Sequence, residues 1–263
     1  MLEGKKLEEA LHGGPWEGRV VCLPVTDSTN AEVRRRAAQT KSVLAVTAEE
    51  QTAGRGRRGR TWISPPGENL YFSALVRPDL PAPKAPMLTP AAALAVCRVL
   101  GTFGVRARIK WPNDVVIGAR KVCGILTELQ PDGQGGYCVV TGIGLNVNQE
   151  RFPDSIASVA TSLKRECGRD FERETLLADI LCGLTDCFEA VCRTGDLSGL
   201  REEYESLLAN RMRQVEVLDP AGSFMGTALG IDDSGRLLVR RSDGSVEAVF
   251  SGEVSVRGIY GYV

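Results

Sequence analysis

VLAVTAEEQTAGRGRRGRTWISPPGENLYFSALVR, residues 43–77, holds two apolar runs, 43–51 and 69–77, that read as β-strands. Between them the seven residues Gly54 to Arg60 carry four arginines and three glycines. A cluster of this kind can be a nucleic-acid arm, a solvated loop or a receptor for a small anion. Glycines allow positive φ and let backbone N–H groups approach a ligand, while arginines add fixed charge and forked donors suited to carboxylate or phosphate. For a two-arginine loop the solvated reading would be preferred. Four arginines pinned at both ends by strands favour the anion receptor.

The rest of the chain supports a local rather than a bulk role for this charge. Its 263 residues suffice for a large domain and a small one, and 32 basic residues balance 33 acidic ones to a net charge of −1. A protein that coats nucleic acid carries a basic excess, so the balance argues against DNA or RNA as a partner. The N-terminus lacks the pattern of a secretory leader, and no stretch approaches the roughly 18–20 apolar residues a membrane span needs; no membrane partner is expected. The eight cysteines include no CxxC pair, and His12 is the single histidine, so a Cys/His metal site is poorly supported. They read as small, reduced residues of a cytoplasmic protein.

Along the chain, residues 1–19 read as a lead-in, 20–210 as the main domain and 211–263 as a small all-β module. "DSTNAEVRRRAAQ" follows a first strand as a helix, with Thr29 and Glu32 at capping-box spacing. A proline-rich connection leads to the apolar helix "MLTPAAALAVCRVLGTFG". Strand-like runs follow, with "PDGQGG" marking a hairpin, and helical patterns dominate from 158 to 210. After Arg211, short runs divided by "PAGS", "DDSG" and "SDGS" suggest about five strands closed as a small barrel.

Three further stretches carry candidate chemistry. In "KWPND" (110–114), Pro112 turns the chain out of its strand and presents Asn113 and Asp114, an amide able to read a nucleoside edge and a carboxylate able to hold Mg²⁺ beside a triphosphate. Alone, an Asn-Asp turn is common. "RKVCGILTE" (120–128) opens with Lys121 and is interrupted by Gly124, a residue that in a strand can mark close approach of a ligand. Taken singly, Lys121 is better read as a strand-end lysine reaching solvent. "GIGLNVN" (142–148) precedes Asn146 with two glycines but matches neither a dinucleotide nor a P-loop fingerprint.

In this order, "DSTN", "EEQTAGRGRRGRTW", "KWPND", "RKVCGILTE" and "GIGLNVN" resemble the biotin protein ligases, and the small β module fits as well. The resemblance implies an α+β fold with a mixed, mainly antiparallel sheet of the class II synthetase and biotin–lipoate ligase type, plus a C-terminal SH3-like barrel. It implies that biotin and ATP form biotinyl-5′-adenylate with loss of pyrophosphate, in the presence of Mg²⁺, and that biotin then passes to a lysine of a biotin carboxyl carrier protein domain. By resemblance, Ser28, Thr29, Asn30, Gln51, Gly54, Arg55, Gly56 and Gly124 belong to the biotin side, with Arg55 used for its backbone. Arg57 and Lys121 face the biotin carboxylate and the α-phosphate as the catalytic pair. Arg60, Asn113, Asp114 and Asn146 serve ATP, Asp114 being the Mg²⁺ contact, and Trp62 and Trp111 wall the pocket or pack. Arg58 is left as solvated loop charge.

Members that also repress transcription carry an N-terminal winged helix-turn-helix of about 60 residues, against the 19 or so that precede the first strand here. A ligase without DNA binding is expected. A lipoate ligase is the nearest alternative enzyme. The oligomeric state is open, because a sheet edge can pair with a second subunit as a homodimer or stay capped.

Overall fold

The computed structural model describes residues 2–132, 135–219, 222–251 and 255–258. The expected turns at 133–134 and 220–221, and the stretch 252–254, lie outside the described residues. The apolar runs of the central segment become β2 and β3 of a seven-stranded sheet. Its strands are β1 (Val20–Thr26), β2 (Leu44–Gln51), β3 (Leu70–Val76), β4 (Arg108–Lys110), β5 (Asp114–Ile117), β6 (Arg120–Pro131) and β7 (Tyr137–Leu145), in the spatial order β1-β2-β3-β7-β6-β5-β4. β1 runs parallel to β2 and each other neighbouring pair is antiparallel, the mixed and mainly antiparallel sheet the sequence predicts.

Among the described residues six α-helices dress the sheet: α1 (Gly4–Leu11), α2 (Thr29–Ala37), α3 (Leu88–Thr102), α4 (Leu163–Cys167), α5 (Arg173–Thr194) and α6 (Ser198–Leu207). Because side chains alternate across a strand, Ala45 and Ala74 face the main core under α3 and α5. Val46 and Leu75 face the other way, into a small cluster with Val33 of α2. That arrangement seats the N-terminus of α2 above β2, β3 and β7.

Three local expectations change. The capping box of α2 does not form, since Glu32 instead binds Arg35 and Arg36. The Thr29 N–H is met from outside the helix by Gln51 Oε1 at 2.9 Å, a long-range bond that no local spacing can announce. Residues 4–11 of the lead-in form a helix, with Leu7 and Leu11 buried one turn apart and the nearby Trp16 indole donating to Leu181 O of α5. Finally, Ala82–Thr102 is a helix long and apolar enough to cross a membrane, but 72% of its apolar window is buried inside the fold. Its prolines do not interrupt it: Pro86 sits in a 3₁₀ turn, and Pro90 lies in the first turn of α3, where the missing N–H has no helical partner to lose.

After α6 the chain forms β8 (Arg213–Leu218), β9 (Phe224–Ile231), β10 (Leu237–Arg240), β11 (Val246–Val249) and β12 (Ser255–Gly258), an antiparallel SH3-like module of order β11-β10-β9-β8-β12. The module is fastened to the large sheet at the KWPND turn, where the buried Trp111 donates its indole N–H to Gly235 O at 3.0 Å. Glu205 of α6 accepts the Ile231 N–H at 3.0 Å, and Gly230 lets that carboxylate lie against the strand. These bonds bring β12 up to the end of the sheet where the arginine loop stands.

Candidate active site

The arginine-rich segment is a tight closed loop. Trp62 N–H donates to Gly54 O, Arg55 and Thr61 bridge as strand partners, and a 3₁₀ turn spans Arg57–Gly59 with Arg58 at φ 58°. Gly54 is required, because a Cβ there would strike the Trp62 carbonyl. The Gly56 N–H is spent on Arg60 O at 2.7 Å. The loop's side chains stand at two adjoining pockets.

The smaller pocket, of about 50 Å³, lies between α2, the loop and the floor of β6 and β7. It gathers Ser28, Thr29, Asn30, Gln51, Arg55, Gly56 and Gly124. Its polar groups form a continuous network. Gln51 accepts from Thr29 Oγ1 at 3.2 Å and donates to Ser64 at 2.9 Å, while Ser73 donates to Asn30 Oδ1 at 2.5 Å and lies 2.7 Å from Thr29 Oγ1. Two paired glycines, Gly124 and Gly144, let the Trp62 ring lie flat on the floor, since a Cβ on either would meet the indole. Gly142 does the same for the Asn30 amide.

The larger cavity, of about 630 Å³, opens on the other side of Trp62. Arg57, Arg58, Arg60, Lys110, Lys121 and Arg257 line it, and among the described residues Asp114 is the one lining carboxylate. Lys121 binds Asp114 at 2.6 Å and sits 5.2 Å from the Trp62 ring centroid. Burial, with a smaller contribution from Arg58 and Arg60, pulls the Arg57 guanidinium below its ordinary value. Arg57 donates to Asn113 Oδ1 at 3.0 Å and to the carbonyl of Ser251 in the C-terminal module. Burial also lowers Lys110 to about 8, against the pull of Asp114, and Lys121, Arg257 and Arg60 push it the same way. Phe152, Ile156 and Val159 give the cavity an apolar wall. That wall is zipped to β6 by backbone bonds from Lys121 N–H to Val159 O and from Thr161 N–H to Lys121 O.

Gly56, Arg57, Trp62, Asn113 and Lys121 line both pockets, so their boundary is where two bound molecules would meet. Two residues expected at the nucleotide, Asn113 and Asn146, line the large cavity and also bond to the protein around it. Asn113 braces Arg57 and donates to Ile125 O at 2.9 Å, and Asn146 donates to Thr161 O at 2.9 Å, holding the apolar wall in place. Arg60 lines the cavity and is exposed.

Residues 22–146 match the biotin/lipoate A/B protein ligase family and 213–257 match the biotin protein ligase C-terminal domain. The chain is 35% identical over 224 residues to the biotin–[acetyl-CoA-carboxylase] ligase of Paracoccus denitrificans, covering 83% of this chain and 92% of that protein. It belongs to the biotin protein ligase family. It is also 37% identical over 217 residues to the bifunctional ligase/repressor BirA of Bacillus spizizenii, where the match covers 80% of this chain but only 65% of that longer protein. A biotin protein ligase from Aquifex aeolicus in complex with biotin and ATP superposes with a TM-score of 0.80 at 30% identity, covering 91% of this chain and 99% of that one.

The sequence reading of this family member missed Ser64, Ser73, Lys110, Glu128, Gly142 and Gly144. Ser73 had a signal, a hydroxyl inside an otherwise apolar strand, and so did the glycines that interrupt β7. Lys110 had one too, a lysine closing a buried strand. Glu128 ends the "RKVCGILTE" run, but nothing local points to its role, since its partners come from α2 and from the loop.

Proposed function

We propose that the protein activates biotin with ATP and transfers it to a lysine of a carrier protein. The carrying observation is the shared wall: a pocket rich in hydroxyl and amide groups and a larger cation-rich cavity meet at Arg57, Trp62 and Lys121. The ureido ring of biotin has two N–H donors and one acceptor, the chemistry that Ser28, Thr29, Asn30 and Gln51 complement. ATP is an anion with an aromatic base, and the cavity pairs cations with an apolar wall.

A biotin carboxylate oxygen bonds to the α-phosphorus as the bond to pyrophosphate breaks. Two anions must approach, and Arg57 and Lys121 stand where their charge offsets that repulsion and the negative charge of the pentavalent phosphate. Asp114 holds the Lys121 ammonium in position, and Asn113 does the same for Arg57. In the second step a carrier lysine amine bonds to the acyl carbon and AMP leaves. The Trp62 indole over Gly124 and Gly144 shields the mixed anhydride from water.

Among the described residues no three His, Cys, Asp or Glu side chains come together as a metal cage. Asp114, a carboxylate on the cavity wall, suits Mg²⁺ and is the residue that would hold it; the ion would supply charge neutralisation for the triphosphate. The carrier is a biotin carboxyl carrier protein domain, and eight free cysteines fit action in the cytoplasm.

Pyrophosphate exchange into ATP tests the reading. Biotin with Mg²⁺ is expected to drive exchange and lipoate to leave it at background. Exchange driven by lipoate alone would overturn the assignment.

A further inference from the structure

Glu128 stands on β6 and is the carboxylate nearest the small pocket's network. Its Oε2 accepts from Asn30 Nδ2 at 2.7 Å and lies 3.5 Å from Arg55 Nη2, and its Oε1 lies 3.6 Å from Arg34 Nη1. Three separate pieces of chain therefore meet at this side chain, two of them converging on the third. Asn30 and Arg34 come from α2, Arg55 from the base of the arginine loop, and Glu128 itself from the sheet.

The contact with Asn30 decides how that amide points. An ionised carboxylate only accepts hydrogen bonds, so it turns the NH₂ of Asn30 towards itself. Leu126 O, at 3.3 Å from the same nitrogen, reinforces this choice. The amide oxygen is left for the Ser73 hydroxyl, and Ser73 lies in turn beside Thr29. Gly142 beneath leaves the amide room to lie in this orientation. Donors and acceptors of the pocket thus take their direction from Glu128.

The contact with Arg55 acts on the loop. Arg55 pairs with Thr61 across the loop's base, so holding its guanidinium holds the hairpin from which Arg57 and Trp62 project. An isolated exposed ion pair contributes little. This carboxylate differs, because it is only 23% exposed and one of its partners is a buried neutral amide belonging to the pocket.

We propose that Glu128 is a positioning residue that couples the acid pocket to the arginine loop, setting the Asn30 amide with one contact and the Arg55 anchor with another. The proposal deepens the biotin-activating reading and rests on it. The Arg55 side chain acquires a role of its own, as the tether by which the loop stays closed on bound acid.

The test is biotin-dependent pyrophosphate exchange by the full chain carrying Glu128→Gln, Arg55→Met or both. Glu128→Gln keeps the shape and loses the charge, so a charge-assisted contact is exchanged for an amide that can flip. The KM for biotin is expected to rise about tenfold or more, by a larger factor than kcat falls and with the KM for ATP moving less than about twofold. The doubly substituted protein is expected to be no worse than the poorer single one, because both changes cut the same tether. Faster loss of preformed biotinyl-adenylate from Glu128→Gln, at an unchanged thermal midpoint, completes the expected set. A wild-type KM for biotin in Glu128→Gln, equal shifts for biotin and ATP, or fully additive effects of the pair would each overturn the proposal. A wild-type chain inert towards biotin would instead remove the functional reading beneath it.

Discussion

The two pockets solve opposite problems with neighbouring residues. In the small one, Thr29, Asn30, Gln51, Ser64 and Ser73 bond to one another, so these side chains are oriented before anything binds. In the large one, Arg57, Arg58, Arg60, Lys110, Lys121 and Arg257 share space with one lining carboxylate among the described residues, and burial works against the charge of Arg57 and Lys110. A pre-bonded network selects by shape and by donor pattern. A cavity of like charges is held at a cost that an arriving anion removes. The first pocket is built to recognise and the second to react.

The sharpest way to break that contrast is to cut the charge at the shared wall. Lys121→Ala and Arg57→Ala are each expected to slow adenylate formation by about 10³-fold, the scale of losing a preorganised donor at developing charge. Stability should fall far less, by about 1–2 kcal/mol, mostly because Asp114 or Asn113 loses a partner. Single-turnover formation of biotinyl-adenylate and thermal unfolding, measured on the same samples, separate the two effects. Near-normal turnover in either variant would show that the wall is not where the chemistry happens.

The contrast also rests on the small pocket's rigidity, and Gly142→Ala tests that. In an ordinary strand this change removes a flexible glycine and stabilises by roughly 0.5–1 kcal/mol. At Gly142 the new methyl would overlap the Asn30 amide oxygen, so the sign should reverse, with a loss of about 1–3 kcal/mol. Biotin affinity should fall by about 10-fold or more as the amide is displaced. Gly101→Ala, in α3 with open space around it, is the control expected to stabilise. Equal, mild effects of the two changes on unfolding and on calorimetric biotin binding would mean that the pocket adapts freely.

The sequence was legible where meaning is local. Two apolar runs around an arginine-glycine segment were enough to place β2, the loop and β3, and five motifs in order led to the family and its fold. Residues whose meaning depends on strand register were not legible. Gly144 matters because it pairs with Gly124 in the register of β6 and β7, leaving a flat floor for Trp62. Glu128 matters because β6 carries it beneath α2, a distance of 98 residues from Asn30 in sequence. The Thr29 and Glu32 spacing misled for the same reason: Gln51, a strand away, outcompetes a local cap for the helix N-terminus. Asn113 and Asn146 both line the large cavity, as the motifs lead one to expect, but the bonds that orient them, to Ile125 O and Thr161 O, come from the register of the folded chain.

The smallest expected effect probes the held charge of the large cavity directly. Lys110 titrates at about 8 in the folded protein, against an ordinary 10.5, chiefly because it is buried. Between these two values the unfolded chain keeps the proton and the folded chain has lost it, so unfolding takes up protons and stability rises with pH. Below about pH 8 the full penalty of the buried charge is present, and it is relieved as pH climbs towards the unfolded value. Wild type should therefore gain on Lys110→Met by about 1 kcal/mol between about pH 7 and pH 9. Denaturant unfolding of both proteins at the two pH values measures this difference of differences. A flat result would mean that Lys110 keeps its proton throughout, and that the cavity tolerates its positive charge without waiting for an anion.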